Sequence, residues 1–476
     1  MNKTSTPSLV IHQEGDLHSN IQLLLTLFPT SDLVIKNVLF GEKKGVIVYF
    51  NSLVNEEKIE QFTTNILEFK DGLFQFLYSH TIATKKIEDI ERSILDGTCL
   101  CLIDGEPNAF LYSVADYPKR AYSPPSIDNS IKGSRISFVE TVQANLSLLR
   151  RYIQSKNLLF KEIKIGKEKE TNVTLAYLEG VVKPGIVEEI ESKLNEITLD
   201  SLLNANQLAH ILEKYPFSIF PQLVTTERPD VASESIEKGK VVILLDRSSD
   251  VIVLPGSFVS FFKSIDDSST RPAIAFFYIF LRAIALFITL YLPGIYISIV
   301  SFNYDVVPLK LILSIGESRA KVPFDPLVEA IIMELTLEML REAAIRLPTP
   351  ISTTVGVVGG IVIGQAAVSA GIVSNIMVIV VALTAISSFI IPNYDMASSL
   401  RILRFPIMIM ASIFGIIGII ASTMIITAHA LKLSSYNESY TQPLSPFDFK
   451  RLKQKYQNSA LSILWNHHIS SQKKRK

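Results

Sequence analysis

The chain has 476 residues, 48% of them hydrophobic, and its 46 lysines and arginines balance 46 aspartates and glutamates. The zero net charge excludes a protein-wide positive field of the kind that recruits nucleic acid. A mean hydropathy of +0.31 is high for a soluble protein of this size. The apolar excess is local, because residues 1–270 mix charged and apolar positions whereas residues 272–432 are mostly apolar. The sequence therefore predicts a globular part followed by a membrane part.

The start of the chain, MNKTSTPSLVIHQEGDLHSN, shows neither a basic stretch followed by an apolar one nor a cleavage site. We therefore expect the first 270 residues to lie in the cytosol, which is a reducing compartment. The two cysteines, Cys99 and Cys101, occupy alternate positions of TCLCLID and have no partner ligands elsewhere. They are expected to be buried core thiols that form no disulfide and bind no metal.

The first half of the chain repeats one pattern. LVIKNVLF, a GEKKG turn and VIVYFN predict a hairpin, and the amphipathic VNEEKIEQFTTNILEF predicts a helix after it. LFKEIKIG, KEKETN, VTLAYLEG and PGIVEEIESKLNEI predict the same layout a second time. The fold class is therefore two similar α+β lobes followed by an α-helical membrane domain, unless the repeat is a coincidence of common α/β patterns.

The predicted organisation has five parts. They are an N-terminal tail (1–30), a first α/β lobe (31–135), a second α/β lobe with a joining helix (136–270), a helical transmembrane domain (271–432) and a basic C-terminal tail (433–476).

The helical domain predicts about four membrane spans and one charged helix. The spans are 272–300, 353–371, 374–391 and 406–431, and the charged helix, 323–348, is embedded in the membrane or lies at its surface. Residues 306–322 are too short and polar to span and suit a half-inserted or surface hairpin. Four spans place both termini on one side, and the final KKRK favours the cytoplasm, whereas Arg401 and Arg404 before the last span favour the opposite orientation.

No enzyme signature is found in the sequence. There is no GxxxxGK[ST] phosphate loop and no GxSxG nucleophile elbow, and the histidines show neither HExxH nor another ligand spacing. The glycines of TTVGVVGGIVIGQAAVSAG do not spell GxGxxG, which excludes a dinucleotide loop there. We therefore expect a protein that is not an enzyme, with no metal, no cofactor and no nucleic acid partner.

The charged helix carries acids close to hydrocarbon. At about 100° per residue, Glu334, Glu338 and Arg341 fall on one stripe, and Glu329 lies nearly opposite. Carboxylates in such a place are costly unless they are paired or wet, so Glu334 and Glu338 are candidates for an ion pathway. The alternative is an interfacial helix whose acids face water. Arg282 needs a counter-charge within the first span, for which Glu329, Glu334 and Glu338 are candidates, unless its side chain reaches the water interface.

The span 353–371 has two different faces. One is made of small residues at GxxxG spacing, which allows another helix to approach closely; the helix-packing candidates are Gly356, Gly360, Gly364 and Gly371. The opposite face is weakly polar, and its ion-pathway candidates are Thr354, Val358, Gln365 and Ser369. Like helices in a ring would enclose a narrow, mostly apolar path, and we expect the Gln365 face to line it. Tight packing within one chain is the alternative.

Several long stretches resemble the A subunit of GerA-type spore germination (germinant) receptors. They are SIGESRAKVPFDPLVEAIIMELTLEMLREAAIRLP, VIGQAAVSAGIVS, MVIVVALTAISSFIIPNYDMA, LRFPI, FPQLVTTERPD, ILDGTCLCLIDG and NLSLLRRYIQS. The likeness covers roughly residues 90–432. It implies a complex in the inner spore membrane with a transporter-like, nutrient-binding B subunit and a lipoprotein C subunit. It also implies that the A subunit oligomerises into the part that conducts ions when nutrient is sensed.

Three functions are open on this basis. The first is a homo-oligomeric, ligand-gated cation pathway lined by the span 353–371. The second is a scaffold subunit whose soluble lobes assemble the receptor without conducting ions. The third is a transporter-like subunit that binds the nutrient itself at a helix break such as Pro293–Gly294. All three place membrane lipid among the partners.

Overall fold

The computed structural model describes residues 16–68, 73–115, 133–167, 170–200, 202–348, 351, 360, 362–442 and 444–445. Internal contacts divide the chain into two compact units. The α/β unit runs to Glu213 and resumes at Leu223–Pro255, and the helical unit comprises Lys214–Gln222 and the chain from Gly256 onward. The helical unit is thus larger than the predicted 271–432, since it also takes in 214–222 and 256–270.

The α/β unit is built from strands and short helices. Its strands are β1 Leu33–Phe40, β2 Lys43–Phe50, β3 Ile82–Thr84, β4 Thr98–Ile103, β5 Ala109–Ser113, β6 Leu158–Ile165, β7 Thr171–Leu178, β8 Val224–Thr226, β9 Val241–Leu245 and β10 Val251–Leu254. Its helices are α1 Leu17–Leu27, α2 Glu56–Glu68, α3 Leu73–His80, α4 Ile87–Leu95, α5 Val142–Tyr152, α6 Ile186–Glu196, α7 Ala205–Leu212 and α8 Pro229–Glu237. The hairpin and the following helix predicted in each half are therefore present.

The first sheet is antiparallel, in the order β1-β2-β4-β5-β3, with helices on both faces. The inner strands β2 and β4 carry continuous apolar runs, GVIVYF and CLCLI, because both faces of the sheet are covered there. In β2, Val46, Val48 and Phe50 pack with α1 and α4, and the alternate Ile47 and Tyr49 pack with α2 and α3. Part of the predicted N-terminal tail (1–30) is therefore structured, since α1 packs against one face of this sheet.

The cysteines behave as the alternation of β4 predicts. Cys99 and Cys101 point to the same face of the sheet, are completely buried and carry free thiols. Burial raises the pKa of the Cys99 thiol well above its usual range, since desolvation disfavours the thiolate. The prediction of buried core thiols is confirmed.

The second sheet has the equivalent strand order, β6-β7-β9-β10-β8, and is also antiparallel. The helices α5 and α8 cover one of its faces, where Leu146, Leu149 and Ile236 meet Val242 and Leu244 in a single core. The two sheets thus have the same connectivity as well as the same number of strands.

A buried ion pair joins the two sheets. Arg150 on α5 binds Asp32, just before β1, with both ends of its guanidinium: Nε lies 3.0 Å from Oδ2 and Nη2 lies 2.8 Å from Oδ1. The guanidinium lies over the rings of Phe50 and Phe160, and both charged side chains are at most 2% exposed. A bidentate pair of this kind has little freedom to change its geometry.

The helical unit contains eight α-helices and a small hairpin among its described residues. They are α9 Asp266–Ser269, α10 Pro272–Ser301, α11 Leu309–Arg319, α12 Pro326–Arg346, α13 362–369, α14 Asn375–Ile390, α15 Tyr394–Phe414, α16 Ile416–Lys432 and the hairpin of β11 Ser434–Ser435 and β12 Glu438–Ser439. Two of the described helices, α10 and α15, are long and apolar enough to cross a membrane, while α14 and α16 are shorter apolar helices.

The charged helix runs over Pro326–Arg346, within the predicted 323–348, and the segment before it differs from the prediction. Residues 309–319 form one helix, α11, where a hairpin was expected. The run of LKLILSIGESR has no turn residue at its centre apart from Gly316, which a helix tolerates.

Helix α10 has no break at Pro293–Gly294, so the prediction of a discontinuous helix there is wrong. The helix continues for 30 residues with Pro293 inside it. Gly294 serves close packing instead: a methyl group at its Cα would lie 3.2 Å from the Ile407 Cγ2 atom of α15. The absence of a side chain lets the two helices approach at this level.

The predicted span 406–431 is two helices, and this boundary was wrong. Gly415 adopts a left-handed φ of +63° between α15 and α16, which ends the first helix and begins the second. Upstream, α15 extends back through the predicted loop to Tyr394, because Asn393 caps it by accepting a hydrogen bond from the Met396 amide at 3.0 Å. The apolar Leu400 and Leu403 are buried on its inner side.

The chain after α16 is also more ordered than a tail. Tyr436 and Tyr440 of the β11–β12 region are buried, and the Phe258 amide donates to the Tyr440 carbonyl at 2.7 Å. Phe220, from the 214–222 segment, packs its ring against Tyr440 within the same unit. The predicted C-terminal tail therefore starts with a packed hairpin.

Candidate functional site

Helix α12 carries the acids singled out by the sequence, and the structure separates them by burial. Glu329 and Glu334 are completely buried, whereas the Glu338 side chain is 42% exposed. Positions 334, 338 and 341 share one face of the helix, and Glu329 lies on another. A buried carboxylate requires a counter-charge, so each buried acid is expected to lie next to a positively charged side chain.

Glu334 pairs with Arg404 of α15. Its Oε2 atom lies 2.6 Å from Arg404 Nη2, and the two side chains are only 1% and 2% exposed. Among the described residues, Glu334 Oε1 and the Nε and Nη1 atoms of Arg404 have no hydrogen-bond partner. The pair thus neutralises its charges while leaving several polar atoms unsatisfied, which makes the strength of this contact dependent on its geometry.

Glu338 lies between two further arginines. Arg341 Nη1 donates to Glu338 Oε2 at 2.9 Å, and Arg401 Nε lies 3.5 Å from Glu338 Oε1. Arg341 also donates to Ser388 Oγ of α14 at 3.2 Å and lies over the ring of Phe389. We call Glu334, Glu338, Arg341, Arg401 and Arg404 the arginine–glutamate cluster. It joins α12, α14 and α15 and holds one more positive than negative charge.

Arg401 and Arg404 were not predicted as site residues. From the sequence they are charges that flank a span, because the last span is predicted to begin after them. Their i, i+3 spacing within SSLRILRF, beside the buried Leu400 and Leu403, is the signal that could have placed both on the inner face of a helix.

Arg282 does not pair with an acid of α12, and that prediction was wrong. Its Nη1 atom lies 2.6 Å from Asp267 Oδ2 of α9 and donates to the Phe262 carbonyl at 3.4 Å. Arg282 is about three turns from the start of α10, so its long side chain can reach back to the chain that precedes the helix.

Glu329 fixes a different junction. Its Oε1 atom accepts a hydrogen bond from the Ser374 amide at the start of α14, and its Oε2 atom lies 3.7 Å from Arg319 Nη1 of α11. The Tyr296 hydroxyl of α10 lies 3.3 Å from Ser374 Oγ. Glu329 therefore ties the end of α11 to the start of α14, and Ser374 in turn contacts α10; this junction is separate from the arginine–glutamate cluster.

The span 353–371 is described only in part. Three of its candidates, Thr354, Gly356 and Val358, lie outside the described residues. In α13, Gln365 and Ser369 are exposed, while Gly364 is buried 3.9 Å from Val378 Cγ1 of α14, measured to an added Cβ. A Cβ added to Gly360 meets nothing within 4 Å.

Gly371 is not part of the helix face on which it was predicted. It follows α13 in a turn with φ +68°, and a Cβ there would lie 2.9 Å from the Lys321 carbonyl oxygen. Its amide donates to the Val368 carbonyl at 3.0 Å, so it ends the helix as C-terminal glycines commonly do. The positive φ and the close approach of the Lys321 carbonyl explain why residue 371 is a glycine, and helix–helix packing is not needed to explain it.

Comparison with known proteins gives extended similarity. The family described as "Bacillus/Clostridium GerA spore germination protein" matches residues 20–468. Spore germination protein B1 of Bacillus subtilis (strain 168) is 34% identical over 446 residues, which cover 90% of this chain and 92% of that protein. Spore germination protein A1 of the same organism is 35% identical over 444 residues, covering 91% and 92%. GerQA of Bacillus cereus is 35% identical over 440 residues, covering 91% and 88%.

One solved structure is also similar. The N-terminal domain of the A subunit of the Bacillus megaterium spore germinant receptor GerK3 aligns with a TM-score of 0.41 and 23% identity. The alignment covers 52% of this chain and 98% of that domain.

Proposed function

The chain belongs to the Bacillus/Clostridium GerA family of spore germination proteins, and from that premise we propose that it is the A-type subunit of a nutrient germinant receptor. The observation that carries this proposal is the extent of the similarity, which runs from the first helix of the α/β unit through the last helix of the helical unit. The subunit acts in a complex with a transporter-like, nutrient-binding B subunit and a lipoprotein C subunit.

The subunit is an integral protein of the inner spore membrane. Two observations support membrane residence. Helices α10 and α15 are long and apolar enough to span, and the outer faces of α10 and α14 carry large exposed apolar side chains, among them Phe276, Phe280, Ile386 and Phe389. Exposed apolar surface of this extent marks a membrane or partner interface. We place about four crossings in the helical unit, an even number that puts the α/β unit and the C-terminus on the same side, the cytoplasmic one.

The α/β unit consists of two lobes that arose by duplication. The two sheets support this through their identical strand order and through the hairpin-then-helix layout with which each begins. The third strand of each sheet is short and lies at the same edge: β3 pairs with β5, and β8 pairs with β10. Two sheets of independent origin would have no reason to share this arrangement.

The membrane part forms a cation pathway when several copies assemble. Helix α13 supports this proposal, because its weakly polar Gln365 and Ser369 are exposed while Gly364 is covered by α14. An exposed polar stripe on a membrane helix is stable where it faces water or a polar partner. A ring of copies would turn this stripe, with Thr354 and Val358, toward a shared axis.

The acids of α12 have separate roles in this scheme. Glu338 is partly exposed and lies at the surface of the arginine–glutamate cluster, where it meets the pathway. Glu334 forms an ion pair with Arg404, which holds α12 against α15, and in this scheme the pair transmits movement between the two helices. The excess positive charge of the cluster keeps cations from resting at Glu334.

The pathway is tested by placing charge at Gln365. In spores that carry the variant receptor, Gln365→Lys is expected to reduce nutrient-triggered release of monovalent cations by about tenfold or more, because a fixed positive charge in a narrow path repels them. Gln365→Glu, which has the same length, is the matched control and is expected to preserve or increase release.

The two substitutions introduce opposite charges, so opposite effects on cation release would indicate a pathway rather than a folding defect. Equal losses in both variants, with reduced protein in the membrane, would indicate misfolding. Unchanged cation release in Gln365→Lys, with normal protein amount, would show that this face of α13 does not line the pathway.

A further inference from the structure

The helical unit contains a cavity of about 480 Å³ between the C-terminal end of α10, helix α11 and the start of α12. Its walls are mainly aliphatic, with Ile299 and Val300 on one side and Ile312 and Ile315 on the other. Its polar lining residues are Ser301, Tyr304, Arg319 and Asp325. The volume lies within the range of small-molecule and cofactor sites.

The cavity lies at one end of the proposed first span. Helix α10 has 30 residues and is therefore about 45 Å long, which exceeds the hydrocarbon thickness of about 30 Å. Its last turn, beside the cavity, is followed by the exposed aromatic residues Phe302 and Tyr304. Aromatic side chains of this kind concentrate at the level of lipid headgroups.

Arg319 is held in place at the inner wall of this cavity. Its Nη2 atom donates to the Phe324 carbonyl at 3.1 Å, and its Nη1 atom lies 3.7 Å from the fully buried Glu329. Among the described residues, Nη1 has no hydrogen-bond partner. A guanidinium has five N–H donors, so Arg319 can bind an anionic oxygen while it keeps both neighbours.

Asp325 supplies the opposite charge. It directly precedes α12, is exposed, and its carboxylate makes no capping hydrogen bond to that helix. The cavity thus presents a guanidinium and a carboxylate on an otherwise aliphatic wall. A guanidinium and a carboxylate that line the same cavity favour a ligand with both an anionic and a cationic group, since each can pair with one of them.

Helix α11 indicates where such a ligand comes from. None of its residues is fully buried, and Leu309, Leu311 and Leu313 are exposed, each by more than half of its surface. The half-buried residues Ile312, Ile315 and Arg319 form the face that lines the cavity. A helix with exposed leucines and a face that lines an aliphatic cavity is best solvated by lipid.

We propose that this cavity binds the zwitterionic headgroup of an aminophospholipid, with the phosphate at Arg319, the ammonium group at Asp325 and the acyl chains along the aliphatic wall. The shared chemistry, an anionic and an ammonium group on an apolar body, also occurs in free apolar amino acids. The inference rests on the proposed membrane placement, and it is independent of whether α13 conducts ions.

Native mass spectrometry of the full-length chain, released from nanodiscs, tests the site. The nanodiscs contain equal amounts of phosphatidylethanolamine and phosphatidylglycerol, and the retained lipids are counted per chain. The wild-type chain is expected to retain one phosphatidylethanolamine in preference to phosphatidylglycerol. Asp325→Asn is expected to lose this preference by about tenfold, since only the ammonium contact is removed.

Arg319→Lys is expected to lower retention of both lipids by about tenfold, because both have a phosphate and lysine lacks the planar fork. Lysine keeps a positive charge next to Glu329, so the fold is preserved. The controls are Glu342→Gln and Arg346→Lys, the same kinds of change at an exposed pair of α12 outside the cavity. Both controls are expected to retain lipid as the wild type does.

Two results would overturn the assignment. One is lipid retention that is equal in the wild type, Asp325→Asn and Arg319→Lys. The other is displacement of the retained lipid by millimolar leucine that depends on Arg319, which would assign the cavity to a free zwitterion. If lipid retention is as predicted but cation release is unchanged in Gln365→Lys, the lipid site is supported and only the proposed ion pathway is contradicted.

Discussion

At the residue scale, the contact between Glu334 and Arg404 is the most consequential in the helical unit. Both side chains are removed from water, and each is the nearest opposite charge of the other. The desolvation cost of two buried ions is offset only while the pair is intact, so loss of either partner leaves an uncompensated buried charge. A pair of this kind contributes little net stability but strongly disfavours arrangements in which α12 and α15 separate.

This gives a prediction for single and paired substitutions. Glu334→Leu and Arg404→Met are each expected to lower the free energy of unfolding by about 3–5 kcal/mol, measured on the detergent-solubilised chain. The double variant is expected to recover most of that loss, because no buried charge is then unpaired. The exposed Arg346→Met is the control and is expected to leave stability unchanged. Additive losses in the double variant would contradict the pairing.

At the element scale, two glycines determine how the last two helices meet. Gly415 provides the left-handed backbone that separates α15 from α16. Gly418, in the first turn of α16, approaches α15 so closely that a Cβ would lie only 2.0 Å from the Met410 carbonyl oxygen. The contact is between backbones, so no side-chain rotation can relieve it.

Alanine is expected to have opposite effects on stability at Gly418 and at Gly316. Gly418→Ala is expected to destabilise the helical unit by about 1–3 kcal/mol through overpacking. Gly316→Ala in α11 has open space around it and is expected to be neutral or to stabilise by up to about 1 kcal/mol, because alanine favours helix more than glycine does. Thermal unfolding in detergent compares the two, and equal effects would show that α15 and α16 are not in contact at Gly418.

At the scale of the whole α/β unit, the Asp32–Arg150 pair couples two sheets that otherwise have separate cores. Ser52 and Thr30 donate to the same carboxylate, at 2.8 and 2.6 Å, so the aspartate is fully held. The Ser31 amide also donates to the Phe160 carbonyl at 3.1 Å. The junction is polar and buried, which makes it sensitive to the loss of one partner.

Arg150→Met is accordingly expected to uncouple the sheets. Amide hydrogen exchange of the full-length chain should show β1 and α5 exchanging faster, by about a hundredfold or more, because removing one partner of a buried pair costs about 3–5 kcal/mol. Lys164→Met, which removes an exposed lysine paired with Glu170 on the β6–β7 hairpin, is the control and should leave exchange unchanged. Unaltered protection of β1 in Arg150→Met would show that the sheets are joined by other contacts.

Much of the fold could be predicted because it depends on local patterns. The apolar runs GVIVYF and TCLCLI predict strands with two covered faces, and a hydrophobic period of 3.6 residues predicts α2 and α6. The family was evident from long matching stretches. For the candidate site, the spacing of Glu334, Glu338 and Arg341 placed three of the five cluster residues on one face of one helix.

The sequence by itself thus determined the local pattern of apolar and polar residues along the helices and strands, and the family to which the chain belongs. Only the tertiary structure decided which charges meet: Arg282 with Asp267, Glu334 with Arg404, and Glu329 with Arg319. It also decided that Gly415 separates two helices within a predicted span. The physical reason is that periodicity acts between neighbours along the chain, whereas pairing depends on distances between residues that lie far apart in sequence and that packing alone brings together.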